Sequence, residues 1–307
     1  MLVVMRCLSL AIPLSVIALS GCLDEQDFGE TSQAVTIENR ISFNRISFNR
    51  ISFNRISFNR ISFNRISFNR LSANMAAIGD MLDTEEGREV FSFVIGCALP
   101  EGEVLVAPDP EDPDNTLEFY GDVGLAPDWI DRPMSKKDRR WVTACILSRV
   151  NESSAAVNIS LRGDHPGLAT DAAERAAYTL QEGAFFGDVF ENVDGPLRAY
   201  ACRGRAQRWS EQGDLASRDC AEPDFAHPGF TKCGMTYAGE CDDFLFIPGV
   251  CNKERQGAFA NCKTALHQAL HIRNSWTITD EDGNQQTLRT SYEPGVFQEV
   301  ITTYVQP

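Results

Sequence analysis

Apolar and polar positions divide the chain into three zones with different patterns. Leu8–Leu19 form a near-continuous apolar run of 12 residues, which is shorter than the about 20 residues that a membrane-spanning helix needs. Residues 39–73 repeat a five-residue pattern, and residues 75–307 mix helical and alternating apolar periods. The last zone therefore predicts a globular part, and the first two predict a leader and a connecting segment.

The pattern of residues 75–307 predicts an α+β fold. Thr84 favours the start of a helix that ends near Pro100, because a Thr before acidic residues is typical of a helix N-terminus. Ser135, with Asp138 three residues on, predicts a second helix that reaches about Val150. Short antiparallel strands are predicted between turn signals, at 103–107, 116–120, 156–161, 184–190, 197–202, 275–279, 286–292 and 296–305, with shorter helices at 171–178 and 263–273.

The repeat has a period that suits neither a helix nor a flat strand. Asn-Arg-Ile-Ser-Phe runs six times from Asn39 to Phe68, and Asn69–Ala73 form a degenerate seventh copy. On a helix, equivalent residues would drift by about 140° per copy, so that no face would form. On a strand, the odd period would move Ile and Phe to the opposite face in every copy.

A period of five residues resembles the pentapeptide-repeat family, whose coils turn a corner at each repeat. That resemblance implies a β-solenoid in which Ile41 and Phe43 point inward. The chain departs from the family by placing Ile where a small residue is usual and Ser where Asn or Asp is usual. The repeat makes fewer than two coils, whereas a solenoid generally needs about three stacked units. A low-complexity spacer and a β-solenoid therefore both remain open.

The N-terminal residues carry the features of an export signal. Arg6 precedes the apolar run, and Leu19-Ser20-Gly21-Cys22 follows it. These four residues resemble a bacterial lipobox, which implies that residues 1–21 are removed and that Cys22 becomes lipid-modified. Leu23 stands where an aspartate would hold such a lipoprotein at the inner membrane, so the resemblance implies an outer-membrane or surface location, with a periplasmic-facing orientation possible. The alternative is an ordinary signal peptide cut near Gly21.

Composition and charge refine this organisation. Hydrophobic residues make up 43% of the 307 residues, which argues against a disordered chain or a collagen-like fibre. The net charge is −15, and the five acidic and eight basic side chains before residue 76 leave 38 and 20 in the globular part, a net charge of −18 there. This acidity predicts no nucleic-acid partner. Residues 22–38 are polar and acidic and are predicted to be a tether.

Eight of the ten cysteines lie in the globular part. An even number of cysteines in an exported chain predicts disulfide bonds. We expect Cys97 to pair with Cys145, because both lie on predicted core helices and the others cluster between 202 and 262. Zinc is disfavoured, since no Cys-x-x-Cys occurs and no cysteine lies within four residues of a histidine. The predicted disulfide cysteines are Cys97, Cys145, Cys202, Cys220, Cys233, Cys241, Cys251 and Cys262.

Candidate catalytic groups are few. Glu182 and Asp188 flank an aromatic and glycine-rich stretch, and two carboxylates about 5–10 Å apart can hydrolyse glycosides. The alternative is that this stretch is core. His267 and His271 have the spacing of a metal helix, but Gln268 stands where a zinc protease has its catalytic Glu. No serine elbow and no glycine-rich phosphate loop occurs, so no cofactor is expected.

Several short stretches resemble uncharacterised cysteine-rich secreted lipoproteins of myxobacteria. The resemblance implies export and disulfide bonds and carries no activity. The stretches are Cys97–Gly102, Leu125–Trp129, Trp141–Cys145, Ile159–Gly163, Gln181–Gly187 and Tyr200–Cys202.

The layout predicts a lipid-anchored envelope or cell-surface protein. Its head, residues 75–307, is expected to be a non-enzymatic binding module for an envelope polysaccharide or protein, attached to the membrane through the N-terminal lipid. The basic residues of the repeat could contact anionic headgroups or could serve as a solvated face. The alternative function is a secreted hydrolase that acts on glycans through Glu182 and Asp188.

Overall fold

A six-stranded sheet, covered by helices on one face, organises the chain in a computed structural model. All described residues belong to one of two units of the chain, Ser32–Pro307. The structure describes residues 46–49, 51–52, 71, 82–112, 114–151, 157–190, 197–208, 214–215, 218–253, 255–264, 274–279, 285–291 and 295–307.

Three α-helices and 16 strands are present in these ranges. The helices are α1 (Glu85–Ala98), α2 (Lys136–Ser148) and α3 (Ala172–Ala177). The strands are β1 (Ile46–Asn49), β2 (Ile51–Ser52), β3 (Val104–Pro108), β4 (Thr116–Tyr120), β5 (Val150–Asn151), β6 (Val157–Arg162), β7 (Leu180–Gly187), β8 (Ala199–Arg203), β9 (Thr236–Glu240), β10 (Asn252–Lys253), β11 (Phe259–Ala260), β12 (Cys262–Lys263), β13 (Ser275–Thr279), β14 (Gln285–Arg289), β15 (Val296–Phe297) and β16 (Ile301–Val305).

The two long helices start where their capping residues predict. The Thr84 hydroxyl accepts a hydrogen bond from the backbone N–H of Gly87 and caps α1. Ser135 and Asp138 form a reciprocal capping box at α2. These bonds satisfy backbone donors that have no partner inside the helix. The mixed α+β class is confirmed, since the described part combines helices with a mainly antiparallel sheet.

The large sheet has the strand order β1-β6-β16-β7-β8-β9. Its pairs are antiparallel except for β8 and β9, which are parallel. Alternate residues of a strand point to opposite faces. Phe185 therefore enters the core cluster that includes α1 and α2, whereas Phe186 enters a second cluster with Tyr200 and Cys202.

Part of the repeat pairs with the globular part. β1 runs antiparallel to β6, with Ile46 opposite Ser160, and β2 runs parallel to β5, with Ile51 opposite Val150. Leu71 of the degenerate copy is buried in the hydrophobic core. The other repeat residues lie outside the described ranges, so the spacer and solenoid interpretations stay predictions.

Several strand boundaries differ from the predicted ones. β7 starts at Leu180, four residues before the predicted strand, and it includes Gly183. A Cβ atom on Gly183 would lie 2.4 Å from the carbonyl oxygen of Cys202, so close packing between β7 and β8 requires glycine. The predicted strand 296–305 divides into β15 and β16, and β9 was not predicted. The predicted helix 263–273 falls outside the described residues from 265 onward.

Four disulfide bonds brace the domain, which confirms the prediction that disulfides are present. The expected bond between Cys97 and Cys145 joins α1 to α2. The other bonds are Cys202–Cys241, Cys220–Cys233 and Cys251–Cys262.

A buried ion pair connects the sheet to α2. Glu182 on β7 and Arg218 are both 0% exposed, and their side chains approach to 2.7 Å. Arg218 also donates to the backbone carbonyls of Ser148, 2.9 Å, and Val150, 3.2 Å. Ser148 is the last residue of α2, so the guanidinium satisfies a carbonyl at the negative end of the helix dipole. Thr303 on β16 donates to the same carboxylate, 2.7 Å.

None of the helices in the described ranges combines the length and the apolar character that crossing a bilayer requires.

Candidate functional site

The structure does not support Glu182 and Asp188 as a catalytic pair. Glu182 lies in strand β7, and Asp188, six residues later, directly follows the end of that strand. An extended chain of this length separates their Cα atoms by roughly 20 Å. A glycosidase needs its two carboxylates within about 5–10 Å. The interpretation of these residues as core, weighed above as the alternative, matches the geometry.

Burial and ion pairing also remove both carboxylates from solvent. Glu182 is held by Arg218, and Asp188, at 1% exposed, lies 3.4 Å from Arg139. A catalytic carboxylate must reach the bond that it cleaves or a water molecule. The Glu182 carboxylate instead neutralises the buried Arg218, and the Asp188 carboxylate neutralises Arg139, which is partly exposed. Both are structural roles. The other candidates, His267 and His271, lie outside the described residues.

Exposed apolar side chains point to a different site, the loop of residues 242–250. Leu245 is 80% exposed, Phe246 is fully exposed and Ile247 is half-exposed. These three residues are consecutive. The backbone N–H of Phe244 donates a hydrogen bond to the carbonyl of Ile247, and the N–H of Ile247 donates one to the carbonyl of Phe244, 2.9 Å each. The result is a tight turn whose tip presents an aliphatic and an aromatic side chain to solvent.

Backbone hydrogen bonds close the base of the 242–250 loop. The N–H of Cys251 donates to the carbonyl of Cys241, 3.0 Å, and the N–H of Val250 donates to that of Glu240, 2.8 Å. Inside the loop, the N–H of Gly249 donates to the Asp243 carboxylate, 2.8 Å. A loop whose ends and interior are bonded in this way loses little further conformational entropy when a partner binds to it.

Close approach and charge also fix this loop. A Cβ atom on Gly249 would lie 2.5 Å from backbone atoms of Asp242, so only glycine fits at position 249, where these two segments of backbone meet. The buried Asp242 carboxylate is contacted by Arg205, 3.3 Å, and by Lys253, 3.2 Å. Leu245 adopts a left-handed backbone with φ of 53°, an unusual conformation for a branched residue that the turn imposes.

Two disulfide bonds meet beneath the 242–250 loop. Cys241 and Cys251 flank the loop and are bonded to Cys202 and Cys262 respectively. The sulfur atoms of Cys202, Cys241 and Cys251 lie within 4.8 Å of one another. Because all of them are oxidised, they offer no thiolate to a metal ion, and the cluster acts here as a covalent brace.

A second exposed feature is built around His227. Its Nδ1 atom donates to the Asp224 carboxylate, 2.7 Å, and its ring stacks on Trp276 with centroids 4.1 Å apart. Phe225, between Asp224 and His227, is exposed. The pKa of Asp224 is lowered from its ordinary value: burial raises it, but hydrogen bonds from His227 and from the N–H groups of Ala226 and His227 outweigh that effect.

Reasoning from the sequence missed the 242–250 loop. The turn signal Ile247-Pro248-Gly249 was visible there, and Phe244–Ile247 form an apolar run between two cysteines. In the sequence such a run reads equally well as a buried strand. Only the tertiary structure shows that its side chains are exposed.

No protein-family model, curated protein or solved structure matches this chain.

We predict that Asp224 stabilises the fold in a pH-dependent way. Since its pKa is lowered on folding, the stabilisation is present above the unfolded-state pKa and is lost as the pH falls through the folded-state pKa. Asp224→Asn should lower the free energy of unfolding by about 0.5–1 kcal/mol at pH 6, and urea titrations should show the difference shrinking below pH ~4. Asp128→Asn, at an exposed ion pair with Arg132, controls for the change in charge. A difference for Asp224→Asn that stays constant down to pH ~2 would contradict the assignment.

Proposed function

We propose that the protein is a lipid-anchored, exported binding module that contacts its partner through the 242–250 loop. The observation that carries this proposal is the exposed Leu245–Ile247 tip above two disulfide bonds. Large apolar side chains in solvent are costly unless they serve an interaction. Binding residues are commonly placed on loops that a rigid scaffold positions.

The chemistry of the tip favours a protein partner over a polysaccharide. Leu245 and Phe246 offer no hydrogen-bonding side-chain group, whereas sugar recognition depends on such groups. Buried aromatic and aliphatic anchors supply most of the free energy in many protein interfaces. We therefore propose an envelope protein with an apolar pocket that receives Phe246.

Export and anchoring complete this proposal. Four disulfide bonds support an oxidising compartment, and the lipid that the lipobox-like residues imply on Cys22 supplies the anchor. One acyl chain binds a membrane only weakly, so more than one is needed for stable attachment. Membership of the myxobacterial lipoprotein group and an outer-membrane location form part of the same proposal.

The residues between Cys22 and β1 then connect the anchor to the head. Cys22 and Ile46, where β1 begins, are 24 residues apart, which allows a reach of at most ~80 Å when fully extended. We propose that this stretch is a spacer and that arginines of the repeat contact anionic headgroups, each with an attraction of about 1 kcal/mol. The hydrolase alternative has no support from the geometry of Glu182 and Asp188.

A photo-reactive side chain at position 246 should capture the partner in intact cells. The expected result is one discrete protein adduct at position 246 and none at Val106, an exposed apolar position on β3. Leu245→Ser should abolish the adduct while changing the free energy of unfolding by no more than about 0.5 kcal/mol, because Leu245 is exposed. An adduct that survives Leu245→Ser, or that also forms at Val106, would reject the loop as the contact.

Lipidation at Cys22 should be detectable by labelling cells with a clickable palmitate analogue. We expect label on the native chain and none on Cys22→Ala, which should leave the membrane fraction because the attached chains are its anchor. Cys7→Ala is the matched control and should keep the label, since Cys7 lies in the predicted leader. Equal labelling of Cys22→Ala would show that the resemblance to a lipobox is misleading.

A further inference from the structure

Four cysteines converge under the 242–250 loop as two neighbouring disulfide bonds. The Sγ atoms of Cys202 and Cys251, which belong to different bonds, are 3.5 Å apart. This is direct contact between sulfur atoms of separate disulfides. The two remaining bonds, Cys97–Cys145 and Cys220–Cys233, contribute no sulfur to this group. The contact is therefore specific to one pair of disulfides.

We propose that these four cysteines form a thiol–disulfide exchange site whose co-reactant is a small or protein dithiol. Exchange requires a thiolate next to the sulfur that it attacks. Cys251 would be that thiolate, because it lies beside Cys202 and is the one cysteine of the four that is partly exposed. Cys202, Cys241 and Cys262 are fully buried, so an external thiol enters at Cys251.

The first step reduces the Cys251–Cys262 bond. A thiolate of the dithiol attacks the Cys251 sulfur, and Cys262 leaves as a thiolate that takes up a proton. The second thiol of the reductant then attacks the mixed disulfide. It releases the Cys251 thiolate, and the dithiol becomes a disulfide. Two electrons have passed from the dithiol to the protein, Cys262 has gained one proton, and the other proton of the dithiol has gone to solvent because Cys251 is left as a thiolate.

The second step is internal. The Cys251 thiolate attacks the Cys202 sulfur, a Cys202–Cys251 bond forms, the Cys202–Cys241 bond breaks, and Cys241 leaves as a thiolate that is protonated. No further oxidant or reductant is required. Cys241 precedes the 242–250 loop and Cys251 follows it, so exchange moves the covalent link to β8 from one end of the loop to the other.

Removing the partner of Cys251 tests the internal step. Cys262→Ser leaves Cys251 as a thiol beside Cys202, and Cys233→Ser is the matched control because it leaves Cys220 as a thiol away from the group. Both are made in the full chain with Cys7 and Cys22 replaced by Ala. Samples held in native buffer are quenched with acid, alkylated and digested with trypsin and chymotrypsin. Chymotrypsin can cleave between Cys241 and Cys251 at Phe244–Phe246, which separates the two possible partners of Cys202.

We expect Cys262→Ser to contain both a Cys202–Cys241 form and a Cys202–Cys251 form. The minor form should be at least about a tenth of the major one, which corresponds to a free-energy difference between the two forms of at most ~1.4 kcal/mol. The rate of exchange should rise with pH, because the thiolate and not the thiol is the attacking form. Cys233→Ser should keep its Cys202–Cys241 and Cys251–Cys262 bonds intact.

The proposal is overturned if Cys262→Ser keeps only Cys202–Cys241, or if Cys233→Ser exchanges equally. If circular dichroism shows that Cys262→Ser is unfolded, the otherwise unsubstituted chain treated with limiting dithiothreitol replaces it. Appearance of Cys202–Cys251 while Cys97–Cys145 stays oxidised then supports the proposal, and its absence rejects it.

Discussion

The Glu182–Arg218 ion pair is the constraint on which the arrangement of the head depends. Two charges with no exposure to solvent are costly to bury unless each finds complete electrostatic compensation. Arg218 obtains it from the carboxylate and from the carbonyls of Ser148, at the end of α2, and Val150. The Oε2 atom of Glu182 accepts hydrogen bonds from Arg218 and Thr303, whereas its Oε1 atom has no hydrogen-bond partner among the described residues. The pair therefore specifies how β7, β16, α2 and the segment around Arg218 meet.

The buried ion pairs belong to the interior of the head, whereas the proposed contact surface, the 242–250 loop, lies outside it. Buried carboxylates with arginine partners serve the fold, and the same holds for Asp188 with Arg139. The features that remain for recognition lie at the surface, on the opposite side of β8 from the helices. There the second apolar cluster and two disulfide bonds support the 242–250 loop. The braced interior and the braced loop together support the proposed contact through residues 242–250.

Local signals in the sequence predicted local structure well. Thr84 and Ser135 marked the two helix starts because capping involves residues only a few positions apart. The environment of Glu182 was beyond such reasoning, since Arg218 is 36 residues away in the chain and nothing local marks it as a partner. The pairing of repeat residues 46–49 with β6 and the exposure of Phe246 are likewise set by contacts between distant segments.

A double-mutant cycle on Glu182 and Arg218 tests the central claim, that this carboxylate is structural, most directly. Urea unfolding would compare the native chain with Glu182→Met, Arg218→Met and the double variant. Each single substitution should lower the free energy of unfolding by about 3–5 kcal/mol, because it leaves one buried charge unpaired, and the double variant should recover most of that loss. A Glu182→Met chain as stable as the native one would contradict the account.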